Sequence, residues 1–228
     1  PAGESSGIER RLADLLTMHV AAYRTTAVPV IWRGRVDLLC CGLDADDPAQ
    51  VNRVQDLVRR AVRALRHPVL AAVGALSPTL AGARQSRAEA DLVLRVLLRG
   101  GRSAYQTRIA ALSDVRATAE LLVLSDLIAA NPELRCGRIA TLLAHDREHH
   151  TCYAESLSAY LDAFGDVNRA ASTLNIHPNT LRYRVRRVAE ICGLDLDDPD
   201  ERLMAAIQLR TSMLAEPANS PLPVGALA

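Results

Sequence analysis

The sequence contains no lysine. All 27 basic residues are arginines, set against 26 acids, so the formal net charge is +1. A uniformly basic nucleic-acid coat is thereby excluded, whereas a local basic patch is not. Aromatic residues are also scarce, at 3% of the chain, although hydrophobic residues make up 49%. The core must therefore be aliphatic, and the composition is not that of a disordered chain. The five cysteines (Cys40, Cys41, Cys136, Cys152 and Cys192) are odd in number and form no Cys-x-x-Cys pair. Neither a disulfide framework nor a zinc ribbon is indicated, and free thiols fit a cytoplasmic protein. No apolar run approaches the ~18 residues of a membrane span. The chain starts Pro1-Ala2-Gly3-Glu4, with neither an initiator methionine nor a signal-peptide core. That start is expected of a piece of a longer protein, or of methionine removal. The 228 residues allow one or two domains at about 150 residues each.

The charge is unevenly spread. Residues 1–104 carry a net of +5 and residues 105–165 a net of −3. Residues 166–192 hold five arginines against two acids, a net of +3, and residues 193–228 carry −4. A basic island thus lies between two acidic stretches. Upstream, helix and strand patterns alternate. Ile8, Leu12, Leu15, Leu16 and Val20 place a helix over 8–24. Val28 to Trp32 and Val36 to Cys40 are β-rich runs around Arg33-Gly34-Arg35, a hairpin pattern. Asp44 to Pro48 reads as a turn, and a helix follows to about Arg66, where His67-Pro68 breaks it. Val69 to Val73 reads as a buried strand and 79–99 as another helix, closed by Gly100-Gly101. From Leu112 onward only helical spacing remains, over 114–129, 133–144, 151–164, 167–174, 178–192 and 200–214. There is no internal repeat and no heptad pattern. The expected fold class is α+β: a small α/β sandwich domain followed by an all-α domain. The expected division is 1–104 for the first domain, 105–150 for a helical connector, 151–214 for the helical domain and 215–228 for a flexible tail.

Within the basic island, Val167, Ala170, Ala171 and Leu174 mark a short helix, and its alanine pair admits a second helix at close range. Asn175-Ile176-His177 reads as a tight turn with Ile176 plugging the corner. Pro178 suits a first helical position, and Gly193 a C-terminal stop. On a wheel of the second helix, Leu181, Val185, Val188 and Cys192 share one face. Asn179, Arg182, Tyr183 and Arg186 fall opposite, flanked by Arg187. Arginine forks read guanine and asparagine reads adenine in the major groove. A polar first turn with Asn179 and Thr180 suits phosphate or base contact. This is the pattern of a helix-turn-helix recognition helix. The alternative is an amphipathic helix with a merely solvated charged face. The alanine pair, the corner isoleucine, the proline start and arginines without neutralising acids together favour double-stranded DNA as the partner.

Residues 157–209 resemble the C-terminal helix-turn-helix of the PucR/CdaR family, bacterial regulators of purine catabolism and sugar-diacid use. The strings that carry the resemblance are Ser156 to Leu161, Leu174 to Arg184 (Leu-Asn-Ile-His-Pro-Asn-Thr-Leu-Arg-Tyr-Arg) and Gly193 to Pro199. The Asn-Thr-Leu turn is also similar to Fis-like helix-turn-helices. Asn175 stands where the family often has His, and Asp166 where it often has Asn. The resemblance implies a degenerate GGDEF-like domain upstream, and residues 8–104 look loosely like one. In a cyclase of that fold, a Gly-Gly-acid-Glu-Phe hairpin approaches phosphates and holds metal. Here the hairpin reads Trp32-Arg33-Gly34-Arg35-Val36-Asp37, without the Gly pair and the paired acids. The resemblance therefore implies no enzyme activity and no catalytic residues. It implies a DNA-binding regulator that acts as a homodimer or higher homo-oligomer. Its small-molecule effector would be sensed by a domain before residue 1. The rival readings are a divergent nucleotide cyclase and a protein-interaction module without DNA binding.

Other clusters read as structural. His145, Asp146, Glu148, His149, His150 and Cys152 crowd together, and His145 and His149 at i, i+4 could share a metal. A polar helix junction is the simpler reading, so no metal and no cofactor are expected. Arg59, Arg63 and Arg66 form a stripe that reads as a solvated face, with a phosphate contact as the alternative. Cys40-Cys41 in an apolar strand reads as core rather than as a redox pair. Asp195, Asp197, Asp198 and Asp200 lack the glycine and glutamate of a calcium loop and read as a turn with an N-cap.

Overall fold

The computed structural model describes residues 2–21, 26–32, 34–47, 49–65, 67–99, 108–131, 137–215 and 226–227. Two compact units result: Pro1–Glu120 together with Pro217–Ala228, and Leu121–Glu216.

The first unit contains α1 (Ala2–Ala21), β1 (Thr26–Trp32), β2 (Arg35–Cys41), α2 (Ala49–Leu65), β3 (Leu70–Val73), a 3-10 turn (Leu80–Gly82), α3 (Ala83–Arg99) and β4 (Arg108–Ala111). The hairpin is antiparallel, with Val28 opposite Leu39 and Val30 opposite Asp37, and β3 pairs with β4 in parallel. A two-residue strand, β5 (Ala226–Leu227), lies between β2 and β3, giving the order β1-β2-β5-β3-β4. Side chains alternate across a strand, and the cores follow that period. Val69 and Ala71 of the β3 segment, with Val36 of β2, face a cluster of Leu12, Leu16, Val20, Leu57, Val58, Ala61 and Val62 from α1 and α2. Leu70 and Ala72 face Ala90, Val93, Leu94 and Leu97 of α3. Helices therefore cover both faces of the sheet, and the cores are aliphatic, as the shortage of aromatics requires.

α4 (Leu112–Ala130) follows β4 directly and is kinked at Val115. The second unit then runs through α5 (Gly137–His149), α6 (Tyr153–Asp162), α7 (Val167–Thr173), α8 (Pro178–Cys192) and α9 (Pro199–Ala215). Ile139, Leu142, Ala154, Leu157, Val188, Cys192, Leu194, Ala205 and Leu209 join α5, α6, α8 and α9 into one core. A satellite core of Ala163, Ala170, Ala171 and Leu181 holds α7 against α8.

The α+β class and the switch to helix alone in the C-terminal part match the sequence reading, and several segments differ from it. The stretch 105–150 is not helical throughout: Arg108–Ala111 is a strand in the first unit's sheet. Four residues are too few to show a period, and Ala110 and Ala111 are both buried, so no alternation marks them. In the tail assigned to 215–228, Ala215 closes α9 and Ala226–Leu227 pair in the sheet. Residues 216–225 and 228 of that tail lie outside the described residues. So do Arg33, Arg66, Gly100-Gly101 and Cys136. The helix expected over 79–99 starts as a 3-10 turn and becomes α-helical at Ala83.

Candidate nucleic-acid interface

The helix-turn-helix is built by its caps. Asp166 Oδ1 accepts from the backbone N–H of Asn168 (2.9 Å) and Arg169 (3.1 Å), which starts α7. The chain leaves α7 through Asn175, whose φ of 53° is left-handed, a conformation asparagine tolerates better than most residues. Ile176 N–H then donates to Ala171 O at 3.0 Å, and the Ile176 side chain packs into the satellite core. His177 is the N-cap of α8: its Nδ1 accepts from Asn179 N–H at 3.2 Å, with Pro178 next in the first helical turn. Gly193, at φ 60°, ends the helix. The alanine pair is fully packed, Ala170 at 0% and Ala171 at 1% exposure. Such small side chains let the two helices approach closely.

Leu181 and Val188 are fully buried and Cys192 nearly so, while Val185 is half-buried. Asn179, Thr180, Arg182, Tyr183, Arg186 and Arg187 are all exposed. The wheel thus separates the residues as expected. Three of the six interact within the helix. Arg182 Nη1 donates to Asn179 Oδ1 at 2.8 Å, so fork and amide preorganise each other. Arg187 Nη1 donates to Glu190 Oε2 at 2.8 Å. Arg187 therefore does have a neutralising acid, one turn along its own helix, contrary to the expectation of an unopposed arginine set.

Two polar anchors join the helices of this unit, and the first lies in the polar junction at His145 to Cys152. Asp146 of α5 accepts from the backbone N–H groups of Tyr153 (2.9 Å) and Ala154 (2.8 Å) and from Thr151 Oγ1. It caps α6 from the preceding helix, a spacing that no local capping rule covers. The rings of His145 and His149 lie 4.3 Å apart, and that of Tyr153 5.6 Å from His145. Among the described residues no group of three or more candidate metal ligands is gathered. Arg184, on the flank of the wheel, donates from Nη1 to Ser156 Oγ at 3.2 Å, and the wholly buried Ser156 hydroxyl donates to Cys152 O at 2.7 Å. That chain of bonds ties α8 to the start of α6.

The hairpin of the first unit uses its charge differently. Asp37 Oδ1 accepts from Arg35 Nε at 2.7 Å, and Oδ2 lies 2.8 Å from Arg87 Nη2 of α3. Arg35 Nη2 donates to Asp91 Oδ1 at 2.8 Å. Burial lowers the Arg35 pKa, but its hydrogen bonds to Asp37 and Asp91 more than offset that and hold it above the ordinary value. The hairpin acid is thus held between arginines. The aspartates after α8 bond to backbone N–H groups: Asp198 Oδ1 accepts from Asp200 and Glu201, and Asp195 Oδ1 from Asp197. They form a turn and an N-cap.

Fold and site together define a helix-turn-helix protein with an α/β domain upstream. Comparison with known families agrees. Residues 153–211 match the PucR C-terminal helix-turn-helix domain, and residues 2–96 match a GGDEF-like domain. The chain carries both domains, the pairing that its motifs resemble. Three relatives from Bacillus subtilis illustrate the likeness. The DNA-binding transcriptional activator AdeR is 32% identical over 72 residues, 32% of this chain and 17% of AdeR. The purine catabolism regulatory protein is 29% identical over 72 residues, 32% of this chain and 14% of the relative. The proline-responsive transcriptional activator PutR is 38% identical over 60 residues, 26% of this chain and 15% of PutR. The chain thus covers less than a fifth of the length of these relatives. No described helix is long and apolar enough to cross a membrane.

Proposed function

We propose that this chain is a PucR-type transcriptional regulator that acts in the cytoplasm and binds double-stranded promoter DNA as a dimer, with α8 in the major groove. The observation that carries this reading is the division of α8. Leu181 and Val188 anchor one side, while Asn179, Arg182, Tyr183 and Arg186 stand exposed on the other. Asn179 and Thr180 lie in the first turn, where a phosphate or base edge meets a helix N-terminus. Arg182 and Arg186, one turn apart, read base edges or flanking phosphates. Arg187, already paired with Glu190, contributes a backbone contact at the rim. Arg184 acts as a strut through Ser156. Two copies contact half-sites about 34 Å apart or a multiple of that. The first unit serves as a scaffold rather than as a cyclase, because its hairpin carboxylate is occupied by Arg35 and Arg87.

A fluorescence-anisotropy titration with promoter fragments tests the reading. Arg182→Ala and Arg186→Ala should each weaken binding by about 1–3 kcal/mol if they read bases. The affinity should fall with salt, at a slope of about −0.9 per phosphate neutralised. Unchanged affinity in both variants would remove α8 from the interface.

A further inference from the structure

α7 is buried on one side and exposed on the other. Ala170 and Ala171 are fully buried and pack with Leu181 of α8, and Val167 and Leu174 add to the same core. Opposite them, Asn168, Arg169, Ser172 and Thr173 are all exposed and span about 140° of the helix circumference. None of the four is an acid. From Val167 to Ala189 the chain holds five arginines and no Asp or Glu, and Asp166 and Glu190 bracket that stretch. The helices around it, α5, α6 and α9, all carry acids.

Arg169 lies near the centre of the exposed face. Its backbone N–H donates to Asp166 Oδ1 at 3.1 Å, but its guanidinium has no partner among the described residues. Arg186 of α8 is in the same state. Each of the other described arginines of the helical unit donates to a carboxylate, an amide, a hydroxyl or a backbone carbonyl. Arg169 also stands in the first turn of its helix, where the backbone favours negative charge and gains nothing from a cation. Neither packing nor helix electrostatics accounts for an arginine there. An unneutralised guanidinium on an acid-free surface suits an anion.

We propose that α7 is a second contact of the DNA interface, with Arg169 on a phosphate of the sugar–phosphate backbone and Asn168 and Ser172 as neutral donors beside it. The inference rests on the DNA-binding reading of α8. The satellite core fixes α7 to α8, so seating α8 in the major groove carries α7 over the groove wall, which is backbone. The two helices then divide the work. α8 distinguishes sequences, and α7 adds affinity without regard to sequence. The occupant is DNA because the acid-free stretch runs through both helices of one packed module, and a row of phosphates is the anion such a module meets.

Anisotropy titrations of the full chain test the division, with a promoter fragment and a random-sequence duplex of equal length over a range of salt. Arg169→Ala should weaken binding to both duplexes by the same factor, about tenfold for each copy bound. The salt slope should fall by about 0.9 for each copy. Arg169→Lys keeps the charge and should keep the slope. Arg182→Ala should weaken binding to the promoter more than to the random duplex. Arg210→Ala, which removes a guanidinium already paired with Asp162, should leave both affinities unchanged. Unchanged affinity for the random duplex in Arg169→Ala, a loss confined to the promoter, or Arg169→Lys behaving as Arg169→Ala would each overturn the proposal. If Arg182→Ala and Arg186→Ala weaken promoter binding and Arg169→Ala does not, the reading of α8 stands and this inference fails. If the unaltered chain binds neither duplex, both fail.

Discussion

The hairpin of the α/β unit and the outer face of α8 both carry arginine, and they use it in opposite ways. Arg35 and Arg87 are matched by Asp37 and Asp91, which come from neighbouring strand and helix positions. Asp37 is only 14% exposed at its side chain, so the network is part of the packing between hairpin and α3. On α8, Arg182 and Arg186 are exposed, and the bond from Arg182 goes to a neutral amide. An arginine closed into an ion network has little left to offer a ligand. An arginine held by an amide keeps its charge available to a phosphate or a guanine edge. Charge count does not distinguish the two regions, whereas the location of the counter-charge does.

The largest effect expected of a single substitution attacks the support of the α8 face rather than its chemistry. Leu181→Ala removes a fully buried side chain from the core between α7 and α8 and should cost about 2–5 kcal/mol. Followed by circular dichroism, the helical unit should melt earlier and the α/β unit at its former temperature. A shift of both together would show that the two regions do not fold independently and would break the comparison at its root.

Next in size is a reciprocal pair. Asp37→Asn removes the charge that Arg35 and Arg87 share and should lower the stability of the α/β unit by about 1–3 kcal/mol. DNA affinity should not change. Arg186→Ala should do the reverse, weakening DNA binding by about 1–3 kcal/mol with the melting temperature unmoved. If Asp37→Asn weakens DNA binding as much as Arg186→Ala does, the hairpin network belongs to the binding function and the contrast is wrong. Arg187→Ala should have a smaller effect on affinity than Arg186→Ala, because Glu190 already engages its guanidinium. The same titration measures it.

The sequence showed most clearly what depends on local pattern. The seam of α8, the plug at Ile176, the proline start and the glycine stop are all set within a few residues, and each is found where the spacing places it. The wheel contains the Arg187–Glu190 pair, an i, i+3 spacing on one helix, but it could not show the partner of Arg184, because Ser156 is 28 residues away. Strand β4 was hidden for a related reason: it is defined by its pairing with β3, not by a period of its own. Asp146 capping α6 from the end of α5, and Ala226–Leu227 entering the sheet, likewise depend on contacts that no short window contains.

The smallest expected effect sharpens the contrast from the side of the α/β unit. Strand alternation turns Cys40 toward the core of α1 and α2 and leaves Cys41 exposed. Burial pushes the Cys40 thiol up from 9.0 to about 11, and the adjacent Cys41 adds to the shift. A raised thiol pKa means that the fold favours the neutral, protonated form. Below about pH 9 both folded and unfolded chains keep that proton, so stability does not depend on it. Between 9 and about 11 the unfolded chain ionises first, and this contribution to stability fades. At about pH 8 the thiolate, which is the reactive form, is scarce at Cys40. Iodoacetamide should therefore label Cys41 in the folded protein and spare Cys40, whereas both should react in denaturant, as read by mass spectrometry of the strand peptide. Equal labelling in the folded state would mean that the inner face of β2 is open to solvent. The α/β unit would then be no more closed than the face of α8, and the division between a packed scaffold and an exposed binding surface would fail.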